Sequence, residues 1–128
     1  MRTMLILNHP LITPLNVVFI KKKDKIQNTL PNDFLILENC DSILHLAKYC
    51  QENHLSFGAI VTSITEALLL VNLNTRYLLT KDLKLANALQ KLAETYLFDA
   101  KILWCITQES DIEIAAKDGI DGVILLKM

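Results

Sequence analysis

Five apolar runs decide most of what this chain can become: FLIL (Phe34 to Leu37), GAIV (Gly58 to Val61), RYLL (Arg76 to Leu79), KILWCI (Lys101 to Ile106) and GVILL (Gly122 to Leu126). Their starts are spaced by roughly twenty residues, the size of a compact strand–helix unit. None shows strict apolar–polar alternation, so each reads as a strand buried on both faces, as in a parallel sheet covered by helices. The segments between them carry helical periodicity and supply the crossovers that parallel strands need. Ile43, Leu46, Ala47 and Cys50 recur on one such segment. On another, Leu85, Leu89, Leu92 and Tyr96 form a stripe beside Ala86, Ala93 and Leu97, opposite Lys84, Asn87, Lys91 and Glu94. The expected fold is one α/β domain over residues 1–128, a predominantly parallel sheet flanked by helices. It is either a three-layer Rossmann/flavodoxin-like arrangement or a half-barrel.

The N-terminal part is different. TMLILN and NVVFI read as strands, but HPLITPL between them holds two prolines, which suit neither a helix interior nor a central strand. Without a crossover helix these two strands need not be parallel neighbours, and one is expected as an edge or antiparallel addition. At the other end, Asp118-Gly119 is a helix stop with glycine in the left-handed conformation. The strand from Gly122 then inserts beside its predecessor, so loss of the last few residues should be damaging.

The composition is 52% hydrophobic and 21% charged with a net charge of −1, which excludes a disordered chain. It also gives no electrostatic reason to expect nucleic acid or an anionic membrane as partner. The apolar start is broken by Asn8, His9 and Pro10, and reads as a strand rather than a membrane span or signal segment. Cys40, Cys50 and Cys105 show neither C-x-x-C nor zinc-finger spacing, so reduced, mostly buried thiols and a cytoplasmic location are expected. The basic run Lys21 to Lys25 reads either as a phosphate-binding patch or as a solvated turn; the turn is preferred, since no aromatic is interleaved. Cys50 and His54 stand four apart, but no second pair completes a metal shell and Cys50 lies on the apolar stripe. No metal and no cofactor are expected.

In parallel sheets and barrels ligands bind beyond the carboxyl ends of the strands. Those ends read Asn8-His9, Glu38-Asn39, Thr62-Ser63, Thr80-Lys81-Asp82, Thr107-Gln108-Glu109 and Lys127. His9, Glu38, Asn39, Thr62, Lys81 and Asp82 are the candidate binding residues for a small polar or anionic ligand, or a protein partner. Lys81 would supply the counter-charge and Glu38 a base. His9, fixed by Pro10, is the one histidine placed to serve in catalysis. Helix capping makes a competing demand on these positions. Ser63-x-x-Glu66 and Ser110-x-x-Glu113 fit capping boxes, and Asp82 and either Asn39 or Asp41 fit N-caps. No G-x-G-x-x-G, G-x-x-x-x-G-K-[ST] or G-x-S-x-G exists, which argues against glycine-loop nucleotide binding and against a nucleophile elbow.

The stretch Lys101 to Leu126, with Trp104, Gly119, Ile120, Asp121 and Gly122, resembles the closing strand–helix–strand unit of (β/α)8 barrels of the glycerophosphodiester phosphodiesterase kind. The resemblance implies βαβ architecture. Leu126-Lys127 stand where that family has Thr-Asp, and Thr107 lies three residues beyond the tryptophan rather than beside it. Tyr77 to Glu94 is similar to the L-L-T-x-D-x-x-L element of PIN-type nucleases. Together these resemblances imply an alternative function, a phosphodiesterase or nuclease with a degenerate site in which Glu38, Glu66 and Asp82 would hold a divalent cation.

Finally, the helix expected at 64–74 is apolar almost all round, with Ala67, Leu68, Leu69, Leu70, Val71 and Leu73. A helix on a sheet needs one apolar stripe, so a homodimer through this helix is expected.

Overall fold

A computed structural model describes residues 3–126. Seven strands, β1 (Leu5–Leu7), β2 (Val17–Ile20), β3 (Phe34–Leu37), β4 (Phe57–Ile60), β5 (Tyr77–Thr80), β6 (Lys101–Ile106) and β7 (Gly122–Leu125), form one sheet. Five helices connect them: α1 (Lys23–Gln27), α2 (Ile43–Glu52), α3 (Ile64–Val71), α4 (Leu83–Tyr96) and α5 (Asp111–Asp118). The strand order is β1-β7-β6-β5-β4-β3-β2, and every pairing is parallel. From β2 to β7 each strand lies beside its successor, while β1 joins the far edge, Leu5 against Gly122 and Leu7 against Ile124.

Strand alternation sorts the apolar residues into two sets. Leu35, Leu37, Ala59, Leu78, Ile102 and Val123 face outward and pack with the buried residues of all five helices. Ile36, Leu79, Leu103, Cys105 and Ile124 face the other way, into a cluster that also takes in Leu5, Leu7, Val17, Phe19, Phe34, Ile60 and Tyr77. All seven strands contribute to that inner cluster, and no helix does. A sheet whose two edges share one interior is curled, and the protein is a half-barrel. The parallel α/β expectation holds.

Two glycines allow the curl. A Cβ on Gly122 would stand 2.5 Å from the Leu5 carbonyl oxygen and 2.6 Å from its Cβ, inside any permissible contact. A Cβ on Gly58 would come within 2.9 Å of Leu79 Cδ1.

β1 and β2 are both edges and both parallel to the rest, so the antiparallel possibility is not realised. Between them runs a strap, residues 8–16. Asn8 takes a left-handed φ of 62°, which turns the chain back on itself. The Asn8 N–H then donates to the Thr13 carbonyl, and the Thr13 hydroxyl donates to the Ile6 carbonyl of edge strand β1. The prolines at 10 and 14 sit in this strap, where their missing N–H groups cost no ladder bond.

Other local expectations fare variously. Gly119 caps α5 with φ 75°. The Lys21–Lys25 run is not simply a turn: it contains the start of α1, anchored by buried Ile26, with the lysines exposed. Helix α3 ends at Val71, and its faces are unequal. Ala67 and Leu70 are buried, whereas Ile64, Leu68 and Leu69 are 40%, 37% and 49% exposed. Among the described residues no helix is long and apolar enough to cross a membrane.

Candidate ligand site at the carboxyl ends of the strands

The alternation that builds the inner cluster also decides what crowns it. Continuing two residues beyond inner-facing Phe19, Ile36, Ile60, Leu79 and Cys105 brings the chain to Lys21, Glu38, Thr62, Lys81 and Thr107. The backbone ladder extends far enough to carry the alternation on: Glu38 N–H donates to Ile20 O and Val61 N–H to Leu79 O, both at 2.9 Å. Lys21 and Glu38 line one cleft with Phe19, Thr62 and Lys81 a second with Ile60, and Thr107 a third with Phe19 and Leu126. Beyond the apolar interior, the strand ends thus carry two ammonium groups, one carboxylate and two hydroxyls, distributed over these three clefts.

Lys81 lies close enough to Cys105 for its charge to act on the thiol. Burial pushes that thiol up to about 12, and the Lys81 ammonium partly opposes the rise. The Lys81 backbone is pinned from β6, whose Trp104 Nε1 donates to its carbonyl at 3.1 Å. Next to it Asp82 caps α4, its Oδ1 accepting the Lys84 N–H at 3.0 Å, while its own N–H donates to Thr80 Oγ1. Asp82 is therefore a helix cap at the rim of the site.

Asn39 is occupied as well. Its Nδ2 donates to Ile60 O at 3.1 Å and to Glu66 Oε1 at 2.6 Å, and that same carboxylate oxygen accepts the Thr62 N–H. Ser63 Oγ accepts the Glu66 N–H, so the expected capping box forms with its return bond shifted one residue back. Neither Asn39 nor Asp41 caps α2, which starts after Ser42 with no side-chain cap bond. The Ser110 box does not form either, since Ser110 Oγ points to Gln108.

His9 fastens the strap. Its Nδ1 accepts the Leu11 N–H at 3.1 Å, which leaves the ring proton on Nε2, and Nε2 donates to Glu109 Oε1 at 3.1 Å. Asn8 completes the hold: Nδ2 donates to Leu125 O at 2.8 Å and Oδ1 accepts the Leu15 N–H at 3.0 Å. Of the six sequence candidates, Glu38 lines one cleft at the strand ends and Thr62 and Lys81 another, while His9, Asn39 and Asp82 make the hydrogen bonds described above.

Glu66 and Asp82 are both spent on backbone N–H groups, and among the described residues no three His, Cys, Asp or Glu side chains are grouped to hold a metal ion. Cys50 is fully buried in the outer cluster, and His54 lies exposed beyond the end of α2. Lys127 lies outside the described residues. In the sequence Lys21 reads as part of a phosphate-binding run or of a solvated turn, with the turn preferred; its distance of two from Phe19 on a strand is the signal that sets it apart from the rest of the run. No protein-family model matches the chain, and no curated protein is detectably similar to it.

Proposed function

We propose that this half-barrel binds a small anionic ligand rich in oxygen, such as a phosphorylated metabolite, at the carboxyl ends of its strands. The observation that carries the reading is that Lys21, Glu38, Thr62, Lys81 and Thr107 each stand two residues beyond an inner-facing strand residue, above an apolar interior. Two ammonium groups attract the anion, two hydroxyls donate to its oxygens, and Glu38 accepts from a ligand hydroxyl. A thermal-shift series against inorganic phosphate, nucleotides and sugar phosphates tests it. A raised midpoint that disappears in Lys21→Ala and Lys81→Ala supports the reading. No shift with any of these anions, in the wild type and in both variants alike, would overturn it.

A second reading concerns assembly. Ile64, Leu68 and Leu69 expose apolar surface on α3, and a second copy of the chain covering that face would bury it. Sedimentation at micromolar concentration decides this. A dimer that Leu69→Lys returns to monomer is expected, and a wild-type monomer ends the idea.

A further inference from the structure

The charged strand ends have an apolar annex. Where a closed barrel would zip β1 to β2, this one keeps a seam, and beneath the strap the seam opens into a cleft of about 430 Å³. Pro10, Pro14, Val17, Phe19 and Leu126 line it, and Thr107 is among its polar groups. The amide of Asn8, also at its wall, is already consumed by Leu125 O and the Leu15 N–H. The cleft therefore offers carbon surface. Ile36, Leu79, Leu103 and Ile124 of the inner cluster are wholly inaccessible, while Val17 and Phe19 at the seam are only partly buried, as are Phe34, Ile60 and Tyr77 of the same cluster. Phe19 is also a wall of the charged cleft that holds Lys21 and Glu38. The two clefts thus adjoin across one ring.

We infer that the ligand is amphipathic, a monoester or acid whose anionic group sits at Lys21 in the cleft that Phe19 borders and whose short aliphatic or ring portion lies in the seam cleft. The inference rests on the anion-binding reading above and names the class of ligand for that site. The strap is then part of the binding wall: His9 and Asn8, by anchoring it to Glu109 and Leu125, position Pro10 and Pro14 against the apolar portion. A volume of this size matches ordinary small-molecule sites, which are mostly apolar with a few placed polar groups.

Calorimetric titration of the full chain with inorganic phosphate, hexyl phosphate and hexanol separates the possibilities. Hexyl phosphate should bind at least about tenfold more tightly than phosphate, a gain of about 1.4 kcal/mol, since each buried methylene contributes favourably. Val17→Thr, which keeps the side-chain shape, and Pro14→Ser should each shrink that advantage while leaving phosphate affinity unchanged. Lys21→Ala should weaken phosphate and hexyl phosphate by the same factor. Equal affinity for the two anions would overturn the amphipathic ligand and leave the anion site standing. Binding of neither would remove both. Hexanol binding as tightly as hexyl phosphate would show an apolar cleft that works without the charged one, which also overturns the inference.

Discussion

The side-chain amide of Gln90 holds Asp121 by two bonds: Nε2 donates to the carboxylate Oδ1 at 3.1 Å, and Oε1 accepts the Asp121 N–H at 2.9 Å. The other carboxylate oxygen accepts the Ile102 N–H at 2.9 Å, and the Asp121 carbonyl accepts the Leu5 N–H. One buried residue therefore joins α4, β6, β7 and β1 at the amino ends of the strands, opposite the clefts at their carboxyl ends.

Removing either partner takes two buried hydrogen bonds from the other. Asp121→Ala and Gln90→Leu should each lower unfolding free energy by about 2–3 kcal/mol, the cost of buried hydrogen-bonding atoms left unsatisfied. Urea denaturation measures it. The double variant should lose less than the sum of the single losses, because the two residues share bonds.

Gly122→Ala sets a methyl group against the backbone of β1, which cannot yield as a side-chain tip can. The expected result is a loss of about 3 kcal/mol or displacement of β1 from the sheet. Hydrogen exchange should then show fast amides at Leu5 to Leu7 while β3 to β6 stay protected. Gly58→Ala meets Leu79 Cδ1, the end of a side chain, and should cost less.

Burial pushes the Cys50 thiol up to about 11 and the Cys105 thiol up to about 12, from an ordinary value of 9.0. Unfolded thiols lose their protons near pH 9, whereas the folded ones keep theirs. Between pH 9 and 12 the native state thus binds more protons, and stability, complete below pH 9, falls as pH rises. Each thiol adds a slope of up to about 1.4 kcal/mol per pH unit. Denaturation curves at pH 8 and pH 10 should differ accordingly, and Cys105→Ala should flatten the difference. Lys81→Ala removes a charge that favours the thiolate, so Cys105 should react still more slowly with iodoacetamide at pH 10.

The His9–Glu109 contact joins a largely covered ring to a carboxylate that is 72% exposed. Glu109→Gln should therefore change global stability by less than about 1 kcal/mol. Its effect should be local: cleavage at the exposed Leu11–Ile12 tip should quicken under limited proteolysis. An unchanged cleavage rate would mean that the Asn8 bonds hold the strap without help.

Much of this architecture was legible because unalternating apolar runs leave a strand few alternatives, and each expected run falls on an observed strand. The face of α4 was less legible. Its large residues pointed to a stripe through Leu92 and Tyr96, yet the buried residues are Ala86, Leu89, Gln90 and Ala93, and Tyr96 is 68% exposed. Small alanines let the helix lie close to the sheet, and the polar residue among them is buried because Asp121 receives it. The capping expectations for Asn39 and Ser110 failed for a related reason. Local spacing cannot see Ile60, whose carbonyl draws the Asn39 amide across to the next strand. At the site, Glu38, Thr62 and Lys81 were readable as strand ends, but which ends turn inward depends on the curl, and periodicity is silent about curvature.

The pairing of Leu5 with Gly122 has a temporal side. On a ribosome β1 leaves the exit tunnel before the other six described strands, and its only ladder partner among them leaves after the other five. Through most of translation, Leu5, Ile6 and Leu7 have no edge to join, while β2 to β6 can zip neighbour by neighbour as they emerge. The nascent chain thus carries β1 as a sticky unpaired segment until β7 is made, and a strap that folds back on β1 through Asn8 and Thr13 gives that segment a local escort in the interval.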